Sequence, residues 1–107
     1  MKRAFVYFKK FDDKWNKLNL TDDDLIELEK ALLANPAAGD VIQGTGGLRK
    51  VRFAYEHKGK SGGLRILYVD VIIRGEIYML DLFTKDEKAN LTQEEKNAIK
   101  KVVMKLK

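Results

Sequence analysis

The sequence predicts an α+β fold: an N-terminal strand and two helices, an antiparallel sheet of about four strands, and a C-terminal helix. Three observations predict it. Three strand-like segments follow one another between Arg49 and Phe83, and the loops joining them are too short for helical crossovers, so they read as an antiparallel meander. Capping-box signatures at Thr21 and Thr92 open helix-period stretches on either side of those strands. A length of 107 residues suits one domain, 1–107, without internal repeat or linker.

The elements follow in order. Arg3–Phe8 is rich in aromatic and β-branched residues and reads as a strand. Asp12-Asp13 reads as the cap of a short helix that carries Trp15 and Leu18 inward. Thr21-Asp22-Asp23-Asp24 starts the second helix, with acids at the positive end of its dipole. Leu25, Ile26, Leu28, Leu32 and Leu33 mark its apolar face, and Asn35-Pro36 stops it, because a residue before proline avoids the helical region. Gly39–Leu48 reads as a loop. Arg49–Glu56 alternates, with Val51, Phe53 and Tyr55 on one face and Lys50, Arg52, Ala54 and Glu56 on the other. His57–Gly63 is a hairpin loop. Leu64–Ile73 is nearly all apolar, as a strand covered on both faces should be. Arg74-Gly75 makes a tight turn into the strand Glu76–Phe83. Thr92 and Glu95 form the second box, and Ile99, Val102, Val103 and Leu106 give the last helix its buried stripe.

Composition excludes several function classes. There is no cysteine, hence no disulfide or thiolate metal site, and the single histidine, His57, argues against a histidine metal site. No apolar run approaches the ~20 residues of a membrane span, and the basic N-terminus lacks a signal-peptide core. The expected setting is the cytoplasm, with no metal, cofactor or membrane. Charge is uneven: residues 1–40 carry a balance of −1 and residues 41–107 a balance of +6. Six cations against one acid lie between Arg49 and Arg65, an electrostatic footprint for a polyanion.

The glycines beside these cations raise the question of a phosphate loop. Gly59-Lys60-Ser61 matches the end of a P-loop, but the upstream glycine falls on Ala54, and a strand rather than a helix follows. Gly44-Thr45-Gly46-Gly47 fails the same test and reads as a turn needing positive φ. The cations are more informative. Lys50 and Arg52, two apart on a strand, project from one face; Arg65 opens the neighbouring strand and Lys85 follows the last one. A curved sheet would gather these four on one surface, where their mutual repulsion suits an anion.

The residues that carry a family resemblance are now in place. They are Asn35-Pro36, the run Gly39-Asp40-Val41-Ile42-Gln43-Gly44-Thr45-Gly46-Gly47-Leu48-Arg49-Lys50-Val51-Arg52, then Lys58-Gly59-Lys60, Gly62-Gly63, Arg65-Ile66 and Tyr68, and finally Thr84-Lys85-Asp86-Glu87-Lys88 with Leu91-Thr92. Over roughly residues 25–105 the chain resembles the RelE/HigB toxins of bacterial type II toxin–antitoxin systems, and its glycine-rich run is similar to the HigB branch. The resemblance implies a fold like the compact microbial ribonucleases. It implies an mRNA endonuclease that works in the ribosomal A site, is metal-independent, and is held in check by a cognate HigA-like, helix-turn-helix antitoxin. By position the family's reactive cations match Lys50, Arg52, Arg65 and Lys85. Arg65 and Arg52 are expected to hold the phosphate, Lys50 to move a proton, and Lys85 to contact the backbone or leaving group. Arg49 (a substitute for Lys50 or Arg52 if the strand register differs), Lys58, Lys60 and Tyr68 are expected to contact RNA. The family's tyrosine or histidine near the last helix has no counterpart, since no Tyr or His follows Tyr78; Tyr55, His57 and Tyr68 are the stand-ins, with His57 read first as an exposed loop residue. Two rival functions share these residues: a toxin of the same fold that inhibits another target such as gyrase without cutting RNA, and a non-catalytic nucleic-acid-binding module.

Overall fold

In the computed structural model, which describes residues 2–54, 63–84, 87 and 90–107, five strands form one sheet. They are β1 (Ala4–Tyr7), β2 (Asp40–Val41), β3 (Arg49–Phe53), β4 (Leu64–Val71) and β5 (Glu76–Thr84). The helices are α1 (Lys9–Lys17), α2 (Asp22–Ala34) and α3 (Gln93–Leu106), and the order across the sheet is β1-β5-β4-β3-β2.

The sheet separates two cores. On one side Phe11, Trp15, Leu20, Leu28 and Leu32, from α1, α2 and the turn between them, pack on Leu64, Ile66, Tyr68, Ile77, Met79 and Leu82. On the other, Val103 of α3 packs with Leu48, Leu67, Val69, Val71, Tyr78, Leu80 and Phe83. β4 therefore contributes alternate residues to both cores, which is why its sequence is almost continuously apolar. β3, β4 and β5 form the expected meander.

The remaining pairings differ from the sequence expectation. β1 runs parallel to β5, so the sheet is mixed rather than antiparallel. A side-on Arg3–Asp70 ion pair, 2.7 Å at Nε to Oδ1 and 3.3 Å at Nη2 to Oδ2, helps seat β1. A fifth strand, β2, appears inside the predicted Gly39–Leu48 loop through pairing of Asp40 and Val41 with Lys50 and Arg49. α1 begins at Lys9, with Phe8 as an N-cap lacking a side-chain bond, rather than at Asp12-Asp13. The i,i+4 pair Phe11 and Trp15, with ring centroids 5.6 Å apart, anchors that start.

The outer boundaries shift for similar reasons. Ile26 and Leu33 are 46% and 43% exposed, because only Leu25, Leu28 and Leu32 lie on the sheet-facing stripe of α2. Val102 is likewise exposed on α3. β4 ends at Val71; Ile72 and Ile73 form a 3₁₀ turn with Arg74, and Gly75 closes it at φ 64°. A register shift leaves Leu80 as an extra residue on β5, between Asp81 opposite Leu67 and Met79 opposite Tyr68. The shift brings Leu82 into the α1/α2 core, and Asp81 beside it meets Lys10 at 3.2 Å and Lys14 at 2.8 Å.

Candidate functional site

The register of β3 and β4 places the predicted cations. Arg52 lies directly opposite Arg65, and Lys50 directly opposite Leu67. Val51 and Phe53 pack on the α1/α2 core, so Lys50 and Arg52 project from the other face of β3. Arg65 sits between Leu64 and Ile66, which also enter the α1/α2 core, so it projects on the same face as Lys50 and Arg52. Three cations from two strands thus share the face that carries α3. Like charges directly opposite each other across an antiparallel pair are destabilising.

The same alternation separates Arg49 and Tyr68 from this group. They are cross-strand partners on the α1/α2 face. Arg49 Nη1 donates to the Gly39 carbonyl at 2.6 Å and to the Ala37 carbonyl at 3.4 Å. Tyr68 is fully buried; its hydroxyl donates to the Pro36 carbonyl at 2.8 Å and accepts the Gly39 N–H at 2.9 Å. Burial pushes that hydroxyl's pKa up, with the Gly39 N–H and Arg49 pulling the other way. A ring so enclosed offers no face for an RNA base. Arg49 and Tyr68 instead brace the segment from Pro36 to Gly39 against the sheet.

The glycine-rich run serves the same end. A Cβ on Gly39 would lie 2.8 Å from the Lys50 carbonyl oxygen and 3.1 Å from Tyr68 Cε1, so only glycine permits this approach. Thr45 is fully buried; its hydroxyl donates to the Ile42 carbonyl at 2.6 Å and accepts the Leu48 N–H at 3.1 Å. Gly44, Gly46 and Gly47 adopt positive φ, as the turn requires. The turn is a seat for α3: Lys107 Nζ donates to the Gly46 carbonyl at 2.6 Å, and Met104 and Val103 lie against Gly46. The capping box between Thr92 and Glu95 fixes the other end of that helix.

Where α3 begins, Ile42, Lys50, Phe83, Asn90, Leu91 and Lys96 enclose a hollow of about 60 Å³. Lys50 is thus joined by Lys96, which sequence reading did not single out. Only the docking of α3 on the sheet brings the two together; no spacing in the chain signals it. A larger hollow, about 670 Å³, lies between α2 and the end of β3 and is lined by Asp23, Asp24 and Glu27 with Thr21, Ala31, Phe53 and Ala54. Its carboxylates make it a poor seat for a polyanion. Lys58, Lys60 and Lys85, with Tyr55 and His57, lie outside the described residues. Among the described residues no cluster of His, Cys, Asp or Glu is placed to hold a metal, and no helix is long and apolar enough to cross a membrane.

A mixed five-stranded sheet with two helices on one face, one on the other and a cationic patch beside the single helix defines a small basic α+β domain. The chain belongs to the RelE family: the family model described as the RelE toxin of the RelE/RelB toxin–antitoxin system matches residues 3–107. Two solved structures share the fold. A chain of the intact Escherichia coli RelBE toxin–antitoxin complex is 17% identical, with a TM-score of 0.56 over 83% of this chain and 99% of that one. An E. coli RelE variant with two arginines changed to alanine, in its free state, is 18% identical, with a TM-score of 0.56 over 81% of this chain and 86% of that one.

Proposed function

We propose that this toxin is a ribosome-dependent mRNA endonuclease that inhibits translation and is neutralised by a cognate antitoxin, in keeping with a HigB-like toxin and a HigA-like, helix-turn-helix partner. The observation that carries the proposal is the direct opposition of Arg52 and Arg65, with Lys50 on the same face. In the reaction an RNA 2′-oxygen forms a bond to the adjacent phosphorus, and the bond from phosphorus to the 5′-oxygen of the next nucleotide breaks. The 2′-hydroxyl loses its proton and the departing oxygen gains one. Negative charge accumulates on the non-bridging phosphate oxygens, where the guanidinium groups of Arg52 and Arg65 stabilise it. Lys50 is the proton-transfer candidate on this face, and Lys85 is assigned to the backbone or the leaving oxygen.

These residues bind and stabilise charge, but they do not by themselves align a 2′-hydroxyl with the scissile bond. Alignment contributes as much as ~7–11 kcal/mol in favourable cases. The A site of a translating ribosome supplies it by holding the message in a bent path. The antitoxin covers the cationic face with an acidic segment, whose association is fast at low ionic strength.

The test is Arg65→Ala. Loss of a contact made mainly in the transition state costs ~3 kcal/mol or more, over a hundredfold in rate. Growth arrest on expression should disappear while the circular-dichroism spectrum and the urea midpoint confirm a folded protein. A folded Arg65→Ala protein that still arrests growth and cuts message at the parent rate would overturn the assignment.

A further inference from the structure

We propose that Lys96, beside Lys50, holds a second RNA phosphate, next to the one bound by Arg52 and Arg65; the inference rests on the nuclease reading for its substrate and shares Lys50 with it, and Lys96 is the residue it adds. Among the described residues, the hollow where α3 meets the sheet is lined by apolar Ile42, Phe83 and Leu91 and by polar Lys50, Lys96 and Asn90. Both lysines are partly buried, and neither forms an ion pair with a carboxylate among the described residues. Asp40, the cross-strand neighbour of Lys50, is exposed at the sheet edge. Two lysines lining one hollow bring like charges together, and a shared anion offsets their repulsion.

Size selects the kind of anion. A hollow of about 60 Å³ holds only a few water-sized groups. That suits a phosphate and is far below the ~300 Å³ at which ligand-sized pockets begin. A base therefore does not enter, and recognition there is of the backbone rather than of sequence. Position selects which phosphate. Lys50 is two residues from Arg52 on one strand face, ~6.7 Å away along β3, comparable to one phosphate step of an extended single strand. A strand whose scissile phosphate sits between Arg52 and Arg65 thus brings the adjacent phosphate to Lys50 and Lys96. Lys96 touches substrate without touching the reacting atoms, so its loss should weaken binding while leaving the chemical step intact.

Binding of a short single-stranded RNA by the full chain, measured by fluorescence anisotropy without ribosomes from low to moderate salt, tests this. Each phosphate contact contributes about 0.7 to the slope of log affinity against log salt. Lys96→Gln should reduce that slope by about 0.7, Lys96→Arg should restore it, and Lys101→Gln, on the exposed surface of α3, should leave it unchanged. In a translation reaction Lys96→Gln should raise the KM for message cleavage and leave kcat unchanged. Equal slopes for the parent and Lys96→Gln, the same loss from Lys101→Gln, or RNA binding too weak to measure at any salt would overturn the subsite. Lys96-dependent binding without cleavage of translated message would leave the subsite standing and defeat the nuclease reading; cleavage indifferent to Lys96 would do the reverse.

Discussion

Tyr68→Phe separates a structural tyrosine from an RNA-stacking one, because it keeps the ring and deletes only the hydroxyl. That hydroxyl is the shared partner of the Pro36 carbonyl and the Gly39 N–H, at 2.8 and 2.9 Å. Its removal leaves a buried N–H without a partner, at ~1–3 kcal/mol, whereas the Pro36 carbonyl is nearer solvent and recovers more of its loss from water. A total of about 2–3 kcal/mol follows. With a urea m-value of ~1.5 kcal/mol per molar, the unfolding midpoint should fall by roughly 1.3–2 M. Equilibrium urea unfolding followed by tryptophan fluorescence measures it, since Trp15 is the only tryptophan and lies in the same core. Cleavage per folded molecule should be nearly unchanged below the transition. A midpoint within experimental error of the parent, or a large loss of cleavage in fully folded Tyr68→Phe, would refute the brace and return Tyr68 to the RNA.

Two further outcomes test the surrounding structure. Gly39→Ala should lower the same urea midpoint by ~1–3 kcal/mol equivalent, because its Cβ meets the Lys50 backbone oxygen at 2.8 Å and backbone cannot swing aside; an unchanged midpoint would mean the close approach is not needed. The Tyr7 hydroxyl is driven above its ordinary value of 10.0 by burial and then by its hydrogen bond to Glu29. The fold therefore retains a proton that the unfolded chain releases, so stability is full below about pH 10 and falls as pH rises above it, by at most ~1.4 kcal/mol per unit from this group. Urea titrations above pH 10 should show a shallower fall for Tyr7→Phe than for the parent, and parallel curves would contradict the assignment.

Local signals in the chain were legible where local chemistry decides. The boxes at Thr21 and Thr92 form as read, because each is closed by residues three apart. β3, β4 and β5 follow from alternation and from a run too apolar for a one-sided strand. What depends on distant partners was not legible. β1 has no local feature that distinguishes parallel from antiparallel pairing, and β2 is two residues long, held by its register with β3 alone. Asp12-Asp13 resembles a cap, yet burial of Phe11 and Trp15 starts α1 earlier. Of the candidate site, the shared face of Lys50 and Arg52 follows from period two, and Arg65 joins it only through register. The run that carries the family resemblance is largely scaffold: Gly39, Thr45, Gly46 and Arg49 brace loops and seat α3, while its Lys50 and Arg52 supply the charge.

On the proposed mechanism, the cationic face cuts message only on the ribosome. Primer extension on one message, incubated with purified toxin in the presence and absence of translating ribosomes, tests it most directly. Site-specific stops within the coding region should require ribosomes, disappear with Arg65→Ala, and not arise on ribosome-free RNA even at low salt. Comparable cleavage of free and translated RNA would make the ribosome dispensable. Intact message in both conditions, with growth arrest retained, would assign the toxin another target.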